Sequence, residues 1–230
     1  MNLSAMQIRL NYRKRDTTEN FVTYDEAKAY MNEGLRRINS EGDFEFERVS
    51  ASLSFTTGSS QYQLSAIAPD FKAPISVFYT DDYNFRMVTP DEVKAVSALK
   101  TYNVFAIAND KMYIGTSFGT ATLQFNYYTT YVGVSTTGGL ISALSSALDQ
   151  PLLPERWQDM IVDYAAARCY QKEKLNDDYT IAMNDFLKSL NSMKKEYPSS
   201  RVKPLKRMSM GMQFGYTDDS APTKYNVFGN

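Results

Sequence analysis

Hydrophobic and polar positions change their period three times along the 230 residues. Up to about Asp43 the pattern is helical. Leu3, Met6, Ile8 and Leu10 recur ahead of a basic end, Arg13-Lys14-Arg15. Thr23-Tyr24-Asp25-Glu26 has the form of a capping box, in which the Thr23 hydroxyl accepts from the Glu26 N–H and opens a helix over about 24–40. Ala27, Tyr30, Met31, Gly34, Leu35 and Ile38 follow at helical spacing, and Gly42 stands where a helix stop is expected. Gly34 lies on the apolar stripe, which predicts the close approach of a second helix.

From Phe44 to about Tyr131 the pattern moves towards period two. Phe44, Phe46, Leu53 and Phe55 alternate with polar residues, Gly58-Ser59-Ser60 makes a turn, and Tyr62 and Leu64 resume the alternation. Ile75–Tyr79, Phe85–Val88, Asn103–Ile107, Met112–Ile114 and Thr122–Tyr131 read as further strands, rich in residues that suit a pleated surface. Ala108-Asn109-Asp110-Lys111 is a hairpin turn between two of them. A short helix interrupts the strands: Thr89 caps it, Pro90 opens it, and Val93, Val96 and Leu99 give its apolar side. Six to eight short strands result, enough for a small sandwich or barrel.

Residues 133–153, with Gly133, Gly138-Gly139 and many Ser and Thr, read as a long connection. Helix then returns. Trp157, Met160, Ile161, Tyr164, Ala165 and Cys169 form one stripe over about 155–173, and Met183, Phe186, Leu187, Leu190 and Met193 another over about 178–196. Asn176-Asp177-Asp178 separates the two and can cap the second. This hairpin must pack on something, most simply on the N-terminal helices. Pro198 ends it, and residues 198–230 show neither helical nor strand period.

The chain thus divides into N-terminal helices (1–43), a β-rich domain (44–132), a connecting loop (133–153), a helix hairpin that completes a bundle (154–197) and an extended arm (198–230). The expected fold is α+β, a helical bundle carrying an inserted small antiparallel β domain. Its expected bundle core is Tyr30, Met31, Leu35, Ile38, Trp157, Ile161, Tyr164, Phe186 and Leu190.

Composition narrows the chemistry. There is no histidine, so the commonest general base and metal ligand is missing, together with Ser-His and Cys-His nucleophile pairs. The single cysteine, Cys169, excludes a disulfide framework and lies on an apolar helical stripe. No phosphate-loop, dinucleotide or metalloprotease motif occurs. The pairs Asp81-Asp82, Asp177-Asp178 and Asp218-Asp219 fall in turns or the arm, where solvated aspartate is the usual case. No catalytic residue, cofactor or metal site is expected. A net charge of −1 argues against a dedicated nucleic-acid binder. The basic clusters Arg13–Arg15 and Arg201–Arg207 are read as solvated ends. Neither a secretory signal nor a membrane span is apparent.

Two segments suggest contact with other chains. Met112–Leu148 carries no charged side chain. That suits either a strand whose polar work is done by hydroxyls and amides or an interface, with Tyr127, Tyr128 and Tyr131 as candidates facing another subunit or a neighbouring protein. The arm carries five Lys or Arg against two Asp, and holds Met208, Met210, Met212, Phe214, Tyr216, Tyr225 and Phe228. It is too apolar for an inert solvated tail.

Tyr24–Ile38 (YDEAKAYMNEGLRRI) and Leu152–Ala167 (LLPERWQDMIVDYAAA), taken with the order of parts, resemble the head–tail adaptor (connector) proteins of tailed bacteriophages. The resemblance implies a structural virion protein without enzymatic activity. It implies a ring, usually of twelve copies, that joins the portal protein to a downstream tail or nozzle protein. The genome would pass through its lumen without specific binding, and assembly would take place in the host cytoplasm. It further implies that the arm docks on the portal through Arg201, Lys203, Lys206, Arg207, Met208, Met210, Met212, Phe214, Tyr225 and Phe228. The small all-helical adaptors lack so large a β region. The alternative reading is a carbohydrate- or peptide-binding β module on a helical stalk, with Tyr and Trp as platforms.

Overall fold

The computed structural model describes residues 1–14, 22–56, 61–79, 84–99, 103–115 and 119–198, with the side chains of 95–99 left aside. Arg15, the Gly58-Ser59-Ser60 turn, the Asp81-Asp82 pair, the side chains of Val96 and Leu99, and every arm residue from 199 onward lie outside them. The architecture is mixed α+β.

Helix α1 (Leu3–Lys14) buries Leu3, Met6, Gln7 and Leu10. Ile8, expected on that stripe, points outward. Helix α2 (Tyr24–Ser40) opens with the expected capping box: the Thr23 hydroxyl accepts from the Glu26 N–H, and the Glu26 carboxylate accepts from the Thr23 N–H at 3.0 Å. Gly42 is not its stop, because the helix ends at Ser40 with Glu41 in an ordinary helical conformation. What Gly42 provides is space, since a Cβ there would meet the Phe44 ring at 3.0 Å.

Strand β1 (Arg48–Phe55) begins four residues later than the sequence pattern suggests. Residues Glu45–Glu47 form a 3-10 turn, closed by the Glu47 carboxylate accepting from the Phe44 N–H. Phe44 and Phe46 therefore pack with the helices and not in the sheet. Then come β2 (Gln61–Gln63), the single turn α3 (Leu64–Ile67), β3 (Phe71–Phe78), β4 (Asn84–Met87), α4 (Pro90–Leu99), β5 (Val104–Ala108), β6 (Lys111–Gly115) and β7 (Ala121–Thr129). These strands form one sheet in the order β1-β7-β3-β4-β5-β6-β2. All pairs are antiparallel except β4–β5, and α4 supplies the crossover a parallel pair requires. The expected hairpin turn is present, with Asn109 and Asp110 at φ 52° and 58°, the left-handed pair that a two-residue turn needs. The sheet curls, so that Thr56 after one edge strand donates its N–H to the Tyr62 hydroxyl on the other at 2.9 Å.

Residues 133–153 are not a bare connection. They form a three-stranded sheet of β8 (Gly133–Val134), β9 (Leu140–Ile141) and β10 (Gln150–Pro151), in the order β10-β8-β9. Leu144 anchors it in the helical core. Gly133 is required by close approach: a Cβ there would lie 2.5 Å from the Leu144 side chain and 2.8 Å from the Gln150 carbonyl.

Helix α5 (Asp159–Glu173) follows a 3-10 turn, Glu155–Trp157, and α6 (Asn176–Glu196) follows α5. The break between them is Lys174, left-handed at φ 62°, with Leu175 N–H bonded to Tyr170 O and Lys174 N–H to Gln171 O. Asn176, Asp177 and Asp178 lie inside the first turn of α6, where the two acids favour the helix dipole. Helices α1, α2, α5 and α6 share one hydrophobic core, with α5 against the other three. At Gly34 a Cβ would sit 3.0 Å from the Tyr164 ring, the close α2–α5 approach anticipated from its place on the stripe. A second core fills the sheet, from Leu53 and Phe55 through Val77 and Phe105 to Leu123 and Phe125.

Candidate assembly surfaces

A buried ionic knot joins the helical core to the sheet. Lys72 leaves β3 with its ammonium donating to the Asn39 and Gly42 carbonyls and, at 2.6 Å, to the Glu47 carboxylate. Asn39 on α2 donates to Glu47 at 3.0 Å and to the Thr129 carbonyl of β7 at 3.1 Å. Glu47 is almost fully buried, and burial pushes its carboxyl up to about 7 even with the Lys72 charge beside it. Asp43 faces the same ammonium at 3.8 Å. Nearby, buried Asp70 accepts from the Tyr127 hydroxyl at 2.7 Å and from the Thr129 hydroxyl at 2.5 Å. These groups span distant stretches of chain, so no local motif announces them. Together they tie α2 and the turn after it to β3 and β7.

The candidate tyrosines are largely used inside the chain. Tyr127 and Tyr128 are buried, and Tyr131 is half-buried in a recess with Leu35, Phe46 and Val132. Burial and the Asp70 carboxylate both raise the Tyr127 phenol. Tyr127 and Tyr128 therefore present almost no surface outward from the folded chain, on a strand flanked by β1 and β3. That position also accounts for the missing charge over residues 121–129. The more open side of the same strands carries hydroxyls and amides that bond across them. Ser50 pairs with Asn126, Asn126 with Ser76 at 3.2 Å, and Gln124 with Ser52 at 3.2 Å.

Of the expected bundle core, Met31, Leu35, Ile38, Ile161, Tyr164, Phe186 and Leu190 are buried together, with Tyr164 edge-on to Phe186 at 5.1 Å. Tyr30 and Trp157 pack at the margin, half-buried. Trp157 lies in the turn ahead of α5, beneath the Arg156 guanidinium at 6.0 Å, and does not open the helical stripe. It offers no free aromatic platform for a sugar. Cys169 is fully buried, and burial drives its thiol up to about 11, away from nucleophilic use.

Salt bridges stitch the helices. Arg9 pairs with Asp159, Arg13 with Asp163 and Asp185, and Lys14 with Glu173 at 3.1 Å. The basic end of α1 is thus spent within the chain. Burial lifts Asp163 to about 6, against the pull of Arg13. At the far end Tyr197 is pinned by the Arg156 guanidinium, which bonds its hydroxyl at 2.7 Å, and meets Phe46 edge-on at 5.5 Å. The arm therefore leaves the body from a fixed root, while its candidate residues Arg201 to Phe228 lie beyond the described residues.

Large apolar side chains remain exposed on three helices: Ile8 and Tyr12 (78 % exposed) on α1, Tyr24 at the start of α2, and Ile181 (61 %) and Leu187 on α6. Leu148 (60 %) projects close to the start of α1, where Ser4 N–H bonds the Ala147 carbonyl at 3.0 Å. No described helix is long and apolar enough to cross a membrane. Sequence reasoning missed Asn32, Lys72 and Asp70. Of these only Asn32 left a trace, as a polar residue beside the apolar stripe of α2.

No curated protein matches the chain. A family model does, over residues 1–209, which takes in the whole described body and the first part of the arm. By that match the chain belongs to the SU10 adaptor protein family.

Proposed function

We propose that this protein is a head–tail adaptor that closes into a ring of about twelve copies, the usual adaptor symmetry, between the portal and the tail of a phage. The family match along residues 1–209 carries the reading. The surface of the body supports it. A ring needs a heterologous contact between two different faces of the same chain. The exposed Ile8 and Tyr12 on α1 and Ile181 and Leu187 on α6 supply two such apolar faces.

The arm attaches the ring to the portal, with Arg201, Lys203, Lys206 and Arg207 drawn to an acidic surface and Met208, Met210, Met212, Phe214, Tyr225 and Phe228 making the apolar contact. The hydroxyl- and amide-bearing sheet side meets the next tail or nozzle protein. The genome passes through the lumen without being gripped, as a chain of net charge −1 allows. The protein works at the head–tail junction of the virion, after assembly in the host cytoplasm.

Electron microscopy of the protein mixed with its portal tests this. The expected result is a ring on the portal, of roughly 300 kDa if twelve copies of 26.1 kDa assemble. Neutralising Arg201, Lys203, Lys206 and Arg207 together should weaken attachment most at low salt, with the difference from wild type shrinking as salt rises. Portals that stay bare at micromolar adaptor would refute the placement.

A further inference from the structure

Strand β1 is a terminal strand of the seven-stranded sheet. All eight of its residues pair with β7 on one side, and no strand lies on the other among the described residues. Natural edge strands are usually short, or guarded by lysine, proline or a bulge. At the opposite edge β2 is short, with three residues. β1 spans about 26 Å at the usual rise, reads RVSASLSF, and carries one charge, Arg48 at its first position. Its polar side is Ser50, Ser52 and Ser54, and its apolar side is Val49, Ala51, Leu53 and Phe55. At its Phe55 end the edge meets β2, where the Phe55 and Tyr62 rings stand 6.1 Å apart, so the open stretch lies towards Arg48; an edge of this kind with a single charge is a template for another strand.

The arm contains a segment of matching form. No period runs through residues 198–230 as a whole, but Met208, Met210, Met212, Phe214 and Tyr216 alternate strictly with Ser209, Gly211, Gln213 and Gly215. These nine residues hold no charge and no proline. Strict alternation of this kind is the pattern of a strand with one apolar face.

The root of the arm lies at the start of β1. Tyr197 packs on Phe46, and Phe46 belongs to the turn that runs directly into Arg48. Ten residues, 198–207, separate Tyr197 from Met208. Extended, they reach about 33 Å, enough for the segment to start at either end of β1. They carry four positive charges, and Glu45, in the same turn as Phe46, has a side chain 63 % exposed. A tether this short gives an effective concentration on the order of millimolar.

We propose that Met208–Tyr216 adds as an outer strand to the free edge of β1 in the same chain. Main-chain hydrogen bonds hold it, as in other cases of strand addition. The methionines, Phe214 and Tyr216 continue the side of Val49, Ala51, Leu53 and Phe55. Ser209, Gly211, Gln213 and Gly215 continue the serine side. The inference needs no portal and stands apart from the assembly reading. If both hold, the arm has two homes, and docking elsewhere requires the strand to peel from β1.

Hydrogen exchange on the full-length protein tests it, comparing wild type with Met212→Pro and Met212→Val. In wild type the 208–216 amides should exchange at least about tenfold more slowly than unpaired chain, by a local opening equilibrium. Met212→Pro removes a donor in the arm without touching the body. It should return 208–216 to the unpaired rate and speed exchange in Arg48–Phe55, leaving β5 and β6 unchanged. Met212→Val should keep the protection. Unprotected 208–216 amides in wild type, or a β1 indifferent to Met212→Pro, would overturn the proposal. Protection that grows with protein concentration would assign the strand to a second copy and overturn the same-chain pairing.

Discussion

Asn32→Ala should cost this protein about 2–4 kcal/mol, although Asn32 touches no candidate surface. The Asn32 amide is 5 % exposed and acts towards Leu144 as a second peptide group would. Its Nδ2 donates to the Leu144 carbonyl at 2.9 Å, and its Oδ1 accepts the Leu144 N–H at 2.8 Å. Those two bonds tie the three-stranded sheet to α2, beside the packing of Leu144 in the helical core. Removing the amide strands two buried backbone groups at about 1–3 kcal/mol apiece, a cost that already contains the two lost bonds. Water entry recovers part of this, and alanine returns about 0.6 kcal/mol of helix propensity. The assay is urea unfolding followed by the fluorescence of Trp157, the single tryptophan, at the margin of the same core. Asn32→Asp separates hydrogen bonding from packing. An ionised carboxylate keeps the acceptor, loses the donor and faces a carbonyl oxygen. Its folded pKa should therefore be raised, so the loss should be large at pH 7 and shrink as acid protonates it. A cost below about 0.5 kcal/mol for Asn32→Ala, or an aspartate variant as stable as wild type at pH 7, would show that Leu144 packing alone holds the segment.

Four further outcomes follow from the same geometry. Gly34→Ala gains about 1 kcal/mol of helix propensity but forces its Cβ against a Tyr164 ring held by Phe186 and by Glu33 at 2.8 Å, so a net loss of about 1 kcal/mol is expected. In a Tyr164→Leu background the same change should stabilise, and a double-mutant cycle reads the difference. Glu47 and Asp163 have folded values near 7 and 6, above their unfolded ones, so their contribution is full below about pH 4 and lost as pH rises through the folded values. Urea stability should therefore fall from pH 5 to 8, and Glu47→Gln should flatten the upper part of that fall; a rise in wild type would reverse the sign. Trp157→Ala should cost about 1–3 kcal/mol, below the range for a fully buried indole, because the ring is only half covered. Duplex DNA at about 0.15 M salt should not bind below the micromolar range, which a shift assay can check.

How much of this could be read from the sequence depended on how locally each feature is encoded. The α2 capping box sits within four residues and was readable. So was the Asn109-Asp110 turn, because left-handed backbone selects those residue types. The helical stripes of α2, α5 and α6 were readable through their spacing, and Gly34 through its place on one of them. Phe44 and Phe46 misled, because two aromatics at period two look like a strand when a 3-10 turn closed by Glu47 places them. The 133–153 sheet was invisible for a different reason. Its strands are two residues long, too short for any period, and its anchor is a bond from an asparagine more than a hundred residues away. The Lys72–Glu47 knot failed in the same way, each partner reading alone as a solvated charge.

The charge-free run Met112–Leu148 divides into two parts with different causes. Burial explains β7, whose hydroxyls and amides bond across strands. It does not explain residues 136–148, where Thr136, Thr137, Ser145, Ser146, Ala147 and Leu148 are exposed and still uncharged. A solvated surface gains solubility from charge at almost no cost, so an exposed stretch without any is the composition of an interface. It adjoins the start of α1 through the Ser4–Ala147 bond, and α1 exposes Ile8 and Tyr12. This is therefore the face we assign to the lateral contact of the proposed ring, with the exposed side of α6 as its complement. Leu148→Asp and Tyr12→Asp replace side chains that are mostly solvated in the single chain, so each should shift the melting temperature by no more than a degree or two, within the roughly 0.5 kcal/mol of ordinary surface changes. Each should also prevent ring closure on the portal, because a buried unpaired carboxylate at a repeated contact is penalised once per subunit. Rings that form at the wild-type concentration with both substitutions present would remove this face from the assembly and leave its missing charge without a cause.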